Sequence, residues 1–546
     1  MNALSKILQR LVTGIGAAWQ WLLCALTNLR RQLLHKHLPH YVVFVLNQEL
    51  SERSPARPWW YGFIPGMGGG LSLAELSDSF QRIAGDPDVK GIVLLYKAAP
   101  AGLAAAQNLA ALLARFRTWD RQLNPTAPAK RIIVHLEQVG RTNYVVACAA
   151  DQVIITPLTT WDVLGLHSTP TFWKETLALA GIKMEVVKIA PWKTAFDPFS
   201  EPAMTPEYEA QLQWLYDSFF ADIVGAIHQG RKLSPETVKA LIDEAPLDAE
   251  AALQAGLVDA IAYEDELPHL LGSAESPATL KLYQSVRRLL LRRPKPHSPG
   301  TVGVISLTGA IIPGQSRSFP VPLPLFGEEV LGHLTAQQQI RAARKDPQLD
   351  AVVVLVDSRG GSALASDLIW RELKLLNAEK PVVVYMGAIA GSGGYYIALP
   401  SRQIVAQRAT LTGSIGVITA KPVLQGSYAK LKAQRYSIRR GNNADLYSED
   451  HGWTASQRAK VEEQVLYNYA QFKHRVAEAR GLPYEQLDSV CSGKVWTGAQ
   501  ALEHGLVDAL GDFTVAVERA CTLANLPADG SVRVVDLTPA KARLLA

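Results

Sequence analysis

One pattern that occurs twice, about 250 residues apart, governs what this 546-residue chain can fold into. "GDPDVKGIVLLYK" from Gly85 is matched by "KDPQLDAVVVLVD" from Lys345 at an offset of 260. "YVVACAADQVII" from Tyr144 is matched by "YYIALPSRQIVA" from Tyr395 at 251, and "AGLVDAI" from Ala255 by "HGLVDAL" from His504 at 249. Matches that keep their order while the offset drifts mean one domain present twice with small insertions. The expected boundaries are an N-terminal segment 1–40, a first repeat 41–290, a Pro- and Arg-rich linker 291–300 and a second repeat 301–546.

Within each copy, short apolar runs alternate with longer amphipathic segments. "TVGVISL", "AVVVLV" and "PVVVYM" read as buried strands rich in β-branched residues, and "LASDLIWRELKLLN" between two of them reads as a helix. That layout predicts an α/β fold with largely parallel pairing and right-handed crossovers. From Thr205, "TPEYEAQLQWLYDSFFADIVGAI" offers an N-cap, a proline at the first helical position and acids in the first turn, so a long helix is expected.

Composition narrows the partners. With 48% hydrophobic and 19% charged residues the chain can bury a large core. A net charge of +5 without a dense basic block gives nucleic acid no footprint. Cys24, Cys148, Cys491 and Cys521 form no CxxC, so neither a zinc site nor a disulfide framework is expected. No metal and no cofactor is implied. Between Arg10 and Arg30 the uncharged "LVTGIGAAWQWLLCALTNL" predicts a hydrophobic helix that spans or lies on a membrane, although Thr13, Gln20, Thr27 and Asn28 dilute it.

What the copies do not share points to chemistry. In the second copy "GAIAGSGGYYIAL" (387–399) places Ser392 among glycines after an apolar run, and "DSRGGS" (357–362) places Gly360 and Gly361 at another strand end. The first copy has Arg141 opposite Ser392, and "KAAPAG" opposite "DSRGGS". Turn punctuation alone would be wanted in both copies. A serine at a strand-to-helix corner suits a nucleophile, with the N–H groups of Gly393 and Gly361 as the oxyanion hole. For the base, the first copy offers Lys193 in "KIAPWKTAFDPF", beside Trp192 in a Pro-bounded loop, with Lys188 as its competitor. Its counterpart in the second copy is Asn442. Burial lowers a lysine pKa and makes it a base. A Ser-His-Asp arrangement through His451 or His474 is the other option, but the sequence offers neither an evident acid partner.

"AGSGGYYIA", "TLTGSIGV", "DSRGGS" and "PWKTAFDPFSEPAMTPE", in this arrangement across residues 70 to 525, resemble the long, internally duplicated form of signal peptide peptidase A. The resemblance implies tandem crotonase/Clp-protease-like domains and a membrane-associated serine endopeptidase that cuts apolar peptides such as signal-peptide remnants. It implies Ser392 as nucleophile, Lys193 as general base and Ser414, opposite Val163 of the first copy, as hydrogen-bond partner of the lysine. It also implies a homotetramer and a place at the bacterial inner membrane. Two features depart from that family: Arg359 stands where a proline usually precedes the glycine pair, and the N-terminal segment is more polar. A crotonase-like acyl-CoA enzyme and a non-catalytic scaffold are the alternative readings.

Overall fold

The computed structural model describes residues 24–29, 31–34, 38–53, 71–97, 102–189, 191–293, 298–323 and 327–537, with backbone alone for 318–323 and 327–329. Most of the 11–29 segment lies outside these residues. Among the described residues no helix is long and apolar enough to cross a membrane.

Before the linker the strands are β1 (Tyr41–Leu46), β2 (Gly91–Tyr96), β3 (Arg131–Leu136), β4 (Gln152–Ile155), β5 (Lys183–Lys188), β6 (Ala260–Ile261) and β7 (Leu280–Leu282). After it come β8 (Thr301–Thr308), β9 (Ala310–Ile312), β10 (Arg317–Leu323), β11 (Gly327–Gly332), β12 (Ala351–Ser358) and β13 (Val382–Gly391). The last are β14 (Gln403–Ala406), β15 (Leu411–Gly413), β16 (Ile418–Val423), β17 (Val495–Thr497), β18 (Ala509–Leu510) and β19 (Arg533–Asp536). Four helices bear on the site: α1 (Pro206–Arg231), α2 (Ala363–Glu379), α3 (Gly393–Ala398) and α4 (Ala455–Arg480).

The duplication is visible in the sheets. The first has strand order β6-β4-β3-β2-β1-β7, and the second runs β18-β14-β13-β12-β8-β19, the same path with equivalent strands. Pairing along β1–β4 and along β8, β12, β13 and β14 is parallel. Helices on both faces of such a sheet make its strands continuously apolar. Accordingly Val352, Val353, Val354, Val383 and Val384 are fully buried. Side chains repeat the equivalence. Tyr144 Oη donates to Leu257 O at 2.5 Å, and Tyr395 Oη to Leu506 O at 2.8 Å. Arg231 forks onto Asp259 with Nε on Gly256 O, and Arg480 forks onto Asp508 with Nε on Gly505 O. The expected long helix is α1, with Thr205 Oγ1 accepting from Tyr208 N at 3.2 Å.

The chain divides into two compact units, and their make-up differs from a cut at the linker. One holds the residues up to Gly165 with Ala221–Pro299 and Asp529–Arg533; the other holds Leu166–Phe220, Gly300–Ala528 and the chain from Val534. The segment that carries Lys193 is therefore part of the unit that carries Ser392.

Candidate active site

β13 outruns β12 and β14, and its last residues pair in parallel with β15, Gly391 opposite Gly413. The residues that follow are Ser392 and Ser414. Register thus sets the two serines side by side, at the spacing of neighbouring strands, about 4.8 Å. Ser392 N donates to Gly413 O at 2.9 Å, and Ser414 N to Lys494 O at 2.6 Å. Both serines sit at positive φ, 55° and 51°. For a side chain other than glycine this is strained backbone, of a kind that concentrates at active sites. Ser392 caps α3, so its corner turns directly from strand into helix.

The glycine pair 360–361 packs against that corner. A Cβ on Gly360, where φ is 92°, would lie 2.8 Å from Ser392 Cβ and 2.6 Å from Gly393 N. Only glycine fits there. The sequence asymmetry marked this residue without giving it a role, because its contact is with a segment thirty residues on. Ile311 N donates to Gly360 O and Ser362 N to Ile311 O, so Gly361 bridges β9 while its own N–H faces away from it. A Cβ on Gly393 would come within 3.3 Å of Gly361 N. The N–H groups of Gly361 and Gly393 thus lie at one corner, and neither donates to a described residue. Ser358 Oγ braces this corner, donating to Gly309 O at 2.6 Å and accepting from Gly360 N at 3.1 Å. The Arg359 backbone is thereby held without a proline.

Lys193 reaches the same place through β5. This strand pairs antiparallel with β16, which lies just beyond Ser414, and Ile189 N donates to Val417 O. Past β5, Gln211 on α1 ties the lysine loop to β17: its Nε2 donates to Thr194 Oγ1 and its Oε1 accepts from Val495 N. Trp214 stacks on Trp496 at 5.2 Å and meets Trp192 at 5.1 Å, covering the loop. Gly493, at φ 92°, lets the Lys193 backbone approach to where its Cβ would be 2.5 Å away. No sequence signal marked Gly493 or Gln211, since both act through contacts hundreds of positions distant.

The lysine side chain is 4% exposed, and Nζ donates to Ser414 O at 2.7 Å and to Ser414 Oγ at 2.9 Å. Burial away from water pulls its pKa down from 10.5 to about 7. Among the described residues Ser392 Oγ makes no hydrogen bond, and Lys193 Nζ bonds Ser414, its neighbour across the strand pair. Lys188, the competing lysine, is ion-paired to the buried Asp197. His451 does have an acid partner that the sequence reading missed: its Nε2 lies 3.0 Å from Asp445 Oδ2. Its Nδ1 is taken by Gly452 O. His474 stacks on Tyr484, and His504 meets Trp496 at a tilt of 56°. None of the three bonds Ser392. In the other unit, Arg141 stands where Ser392 stands here, its Nη1 on Gly165 O, and Val163 replaces Ser414.

The model of peptidase family S49 matches the chain twice, over residues 126–274 and 374–527, one region in each copy. The chain belongs to peptidase family S49. As a member it is a serine endopeptidase, a hydrolase rather than an acyl-CoA enzyme. Among S49-like relatives, the chloroplastic serine protease SPPA of Arabidopsis thaliana is 30% identical over 86% of this chain and 68% of its own length. Protease 4 of Salmonella typhi is 30% identical over 83% and 72%, and Protease 4 of Haemophilus influenzae 27% over 85% and 75%. Two solved structures resemble parts of the chain: a ClpP1 mutant from Listeria monocytogenes and a membrane-bound stomatin-specific protease mutant. The first has TM-score 0.25 and 14% identity, over 39% of this chain and 91% of that one. The second has 0.28 and 18%, over 45% and 100%.

Proposed function

We propose that Ser392 and Lys193 form the catalytic dyad of this S49 peptidase. The observation that carries the reading is the lysine amine, buried, free of any carboxylate partner among the described residues, and bonded to the serine that register sets beside Ser392. A neutral amine has two N–H groups and one lone pair. With Ser414 O and Oγ accepting the two N–H groups, the lone pair is left for the Ser392 hydroxyl proton.

The steps follow. Lys193 takes the Ser392 proton as Oγ bonds to the peptide carbonyl carbon, and the carbonyl oxygen becomes an oxyanion held by Gly361 N–H and Gly393 N–H. The C–N bond then breaks, the leaving amine takes the proton from the Lys193 ammonium, and an ester remains on Ser392. Water, deprotonated by Lys193, hydrolyses that ester and restores the serine. Ser414 holds Nζ in place throughout.

The substrates we propose are extended apolar peptides, signal-peptide remnants among them, with a small or aliphatic residue before the scissile bond. A base that works by desolvation needs apolar surroundings when substrate is bound. The resemblance and the uncharged 11–29 segment support work at a membrane, the bacterial inner membrane in the first instance, as a homo-oligomer, a tetramer by resemblance. The test is a fluorophosphonate probe with an apolar peptide assay. Wild type is labelled at Ser392 and hydrolyses the peptide, Ser392→Ala does neither, and Lys193→Arg is inactive because guanidinium keeps its proton. Labelling elsewhere, or an active Ser392→Ala, removes the assignment.

A further inference from the structure

Arg359 lies one residue from the glycine that touches Ser392, at the end of β12. Its side chain is exposed and makes no hydrogen bond or ion pair with a described residue. Its backbone is nevertheless fixed on both sides, Gly309 N donating to Asp357 O before it, and Gly360 after it donating its N–H to Ser358 Oγ and accepting at its O from Ile311 N. The acid two residues before it on the strand, Asp357, turns its carboxylate toward the N–H groups of Ala388 and Ile389, at 3.4 and 3.2 Å. The backbone of Arg359 is thus anchored beside the oxyanion corner, and its exposed, unpaired fork of donors is available to a bound peptide. A carboxylate matches that fork. Resting on the dyad reading, Lys193 is neutral in the working state, so Arg359 is a permanent cation at the corner where the base carries no charge. Leu364, at the start of α2, is 66% exposed.

We propose that Arg359 is a specificity-determining residue that selects peptides bearing an acidic side chain close to the scissile bond. The reach sets the distance. The guanidinium extends about 6–7 Å from its Cα and an extended peptide advances about 3.3 Å per residue, so the acid falls within about three residues of the cleaved bond. The residue immediately before the bond stays apolar.

Binding to the full-length Ser392→Ala protein tests this without turnover. Fluorescein-labelled apolar peptides carry Glu, Gln or Lys at each of the three positions on either side of the scissile bond, and affinity is read by anisotropy. At one or two positions the Glu peptide binds about three- to ten-fold tighter than its Gln twin, the range of a partly exposed charge-assisted pair, and the advantage shrinks with salt. With Arg359→Gln added, the ratio falls to one. With Arg359→Glu the preference passes to the Lys peptide. Equal binding of Glu and Gln peptides, a preference that survives Arg359→Gln, or no peptide binding at all overturns the proposal. A failed dyad would show instead as absent hydrolysis by the Ser392-intact chain, with the Glu/Gln binding ratio untouched.

Discussion

Replacing Lys193 by methionine should stabilise the enzyme as it inactivates it. Methionine keeps an unbranched stem of similar volume and removes the amine. The pKa falls from 10.5 to about 7 on folding because burial disfavours the ammonium ion. The unfolded chain therefore holds the proton more tightly than the folded one, and protonation favours unfolding. The penalty is full below pH 7, shrinks as pH rises from 7 to 10.5, and is gone above that. At about 1.4 kcal/mol per factor of ten it amounts to about 5 kcal/mol at pH 6. The two hydrogen bonds to Ser414 return about 1 kcal/mol each, and methionine forfeits them. The variant should thus be more stable by about 3 kcal/mol at pH 6, equal near pH 9 and less stable by about 2 kcal/mol above pH 10.5. Across a unit of this size that is a rise in Tm of roughly 5–10 °C at pH 6. Scanning fluorimetry of both proteins at pH 6, 8 and 10, beside a peptide assay in which the variant loses about a thousand-fold, reads the effect. A Tm difference that does not change with pH would refute the claim that folding buries a lysine it must deprotonate.

The activity of wild type should climb with pH through about 7 and level off above it, as the lysine loses its proton; a profile centred near 10 would mean a solvated lysine. Ser414→Ala leaves Nζ one hydroxyl short, so kcat should drop about ten- to a hundred-fold with KM little changed, and a KM effect alone would make Ser414 a substrate contact. Gly360→Ala puts a methyl 2.6 Å from Gly393 N at a φ of 92°, and should abolish hydrolysis while the mutant still folds; full activity would mean that the glycine pair does not shape the oxyanion corner. A chain of residues 300–546 lacks the 166–220 segment that belongs to its unit, so it should be inactive alone and regain activity only with a partner supplying 41–290. Hydrolysis by that half alone would turn attention to His451.

Much of this was legible because a duplicated chain carries its own control. Tyr144 and Tyr395 keep one role in both copies, so their equivalence exposes Ser392 against Arg141 and Ser414 against Val163. The parallel strands were plain in runs such as "PVVVYM", where a sheet covered on both faces leaves no polar alternation to read. Asp445 as the partner of His451 was missed because a six-residue separation in an irregular loop has no periodicity. The packing of 166–220 with the second repeat was hidden for a different reason. Sequence similarity assigns a segment to the copy it descends from, whereas packing assigns it to the surface it covers.

That packing sets an order of events on the ribosome. The arm bearing Lys193, Trp192 and Trp214 is complete at Phe220, yet the strands it lies against begin at Gly300 and its unit closes only near Ala528. At 5–20 residues per second the arm waits roughly 15 to 60 s for its partner. Throughout that interval Lys193 is solvated and protonated. Ser392 is itself made only part-way through it, with the rest of its unit still to come. The nascent peptidase is therefore inert toward its own emerging chain, and its activity begins at the moment the last strands dock.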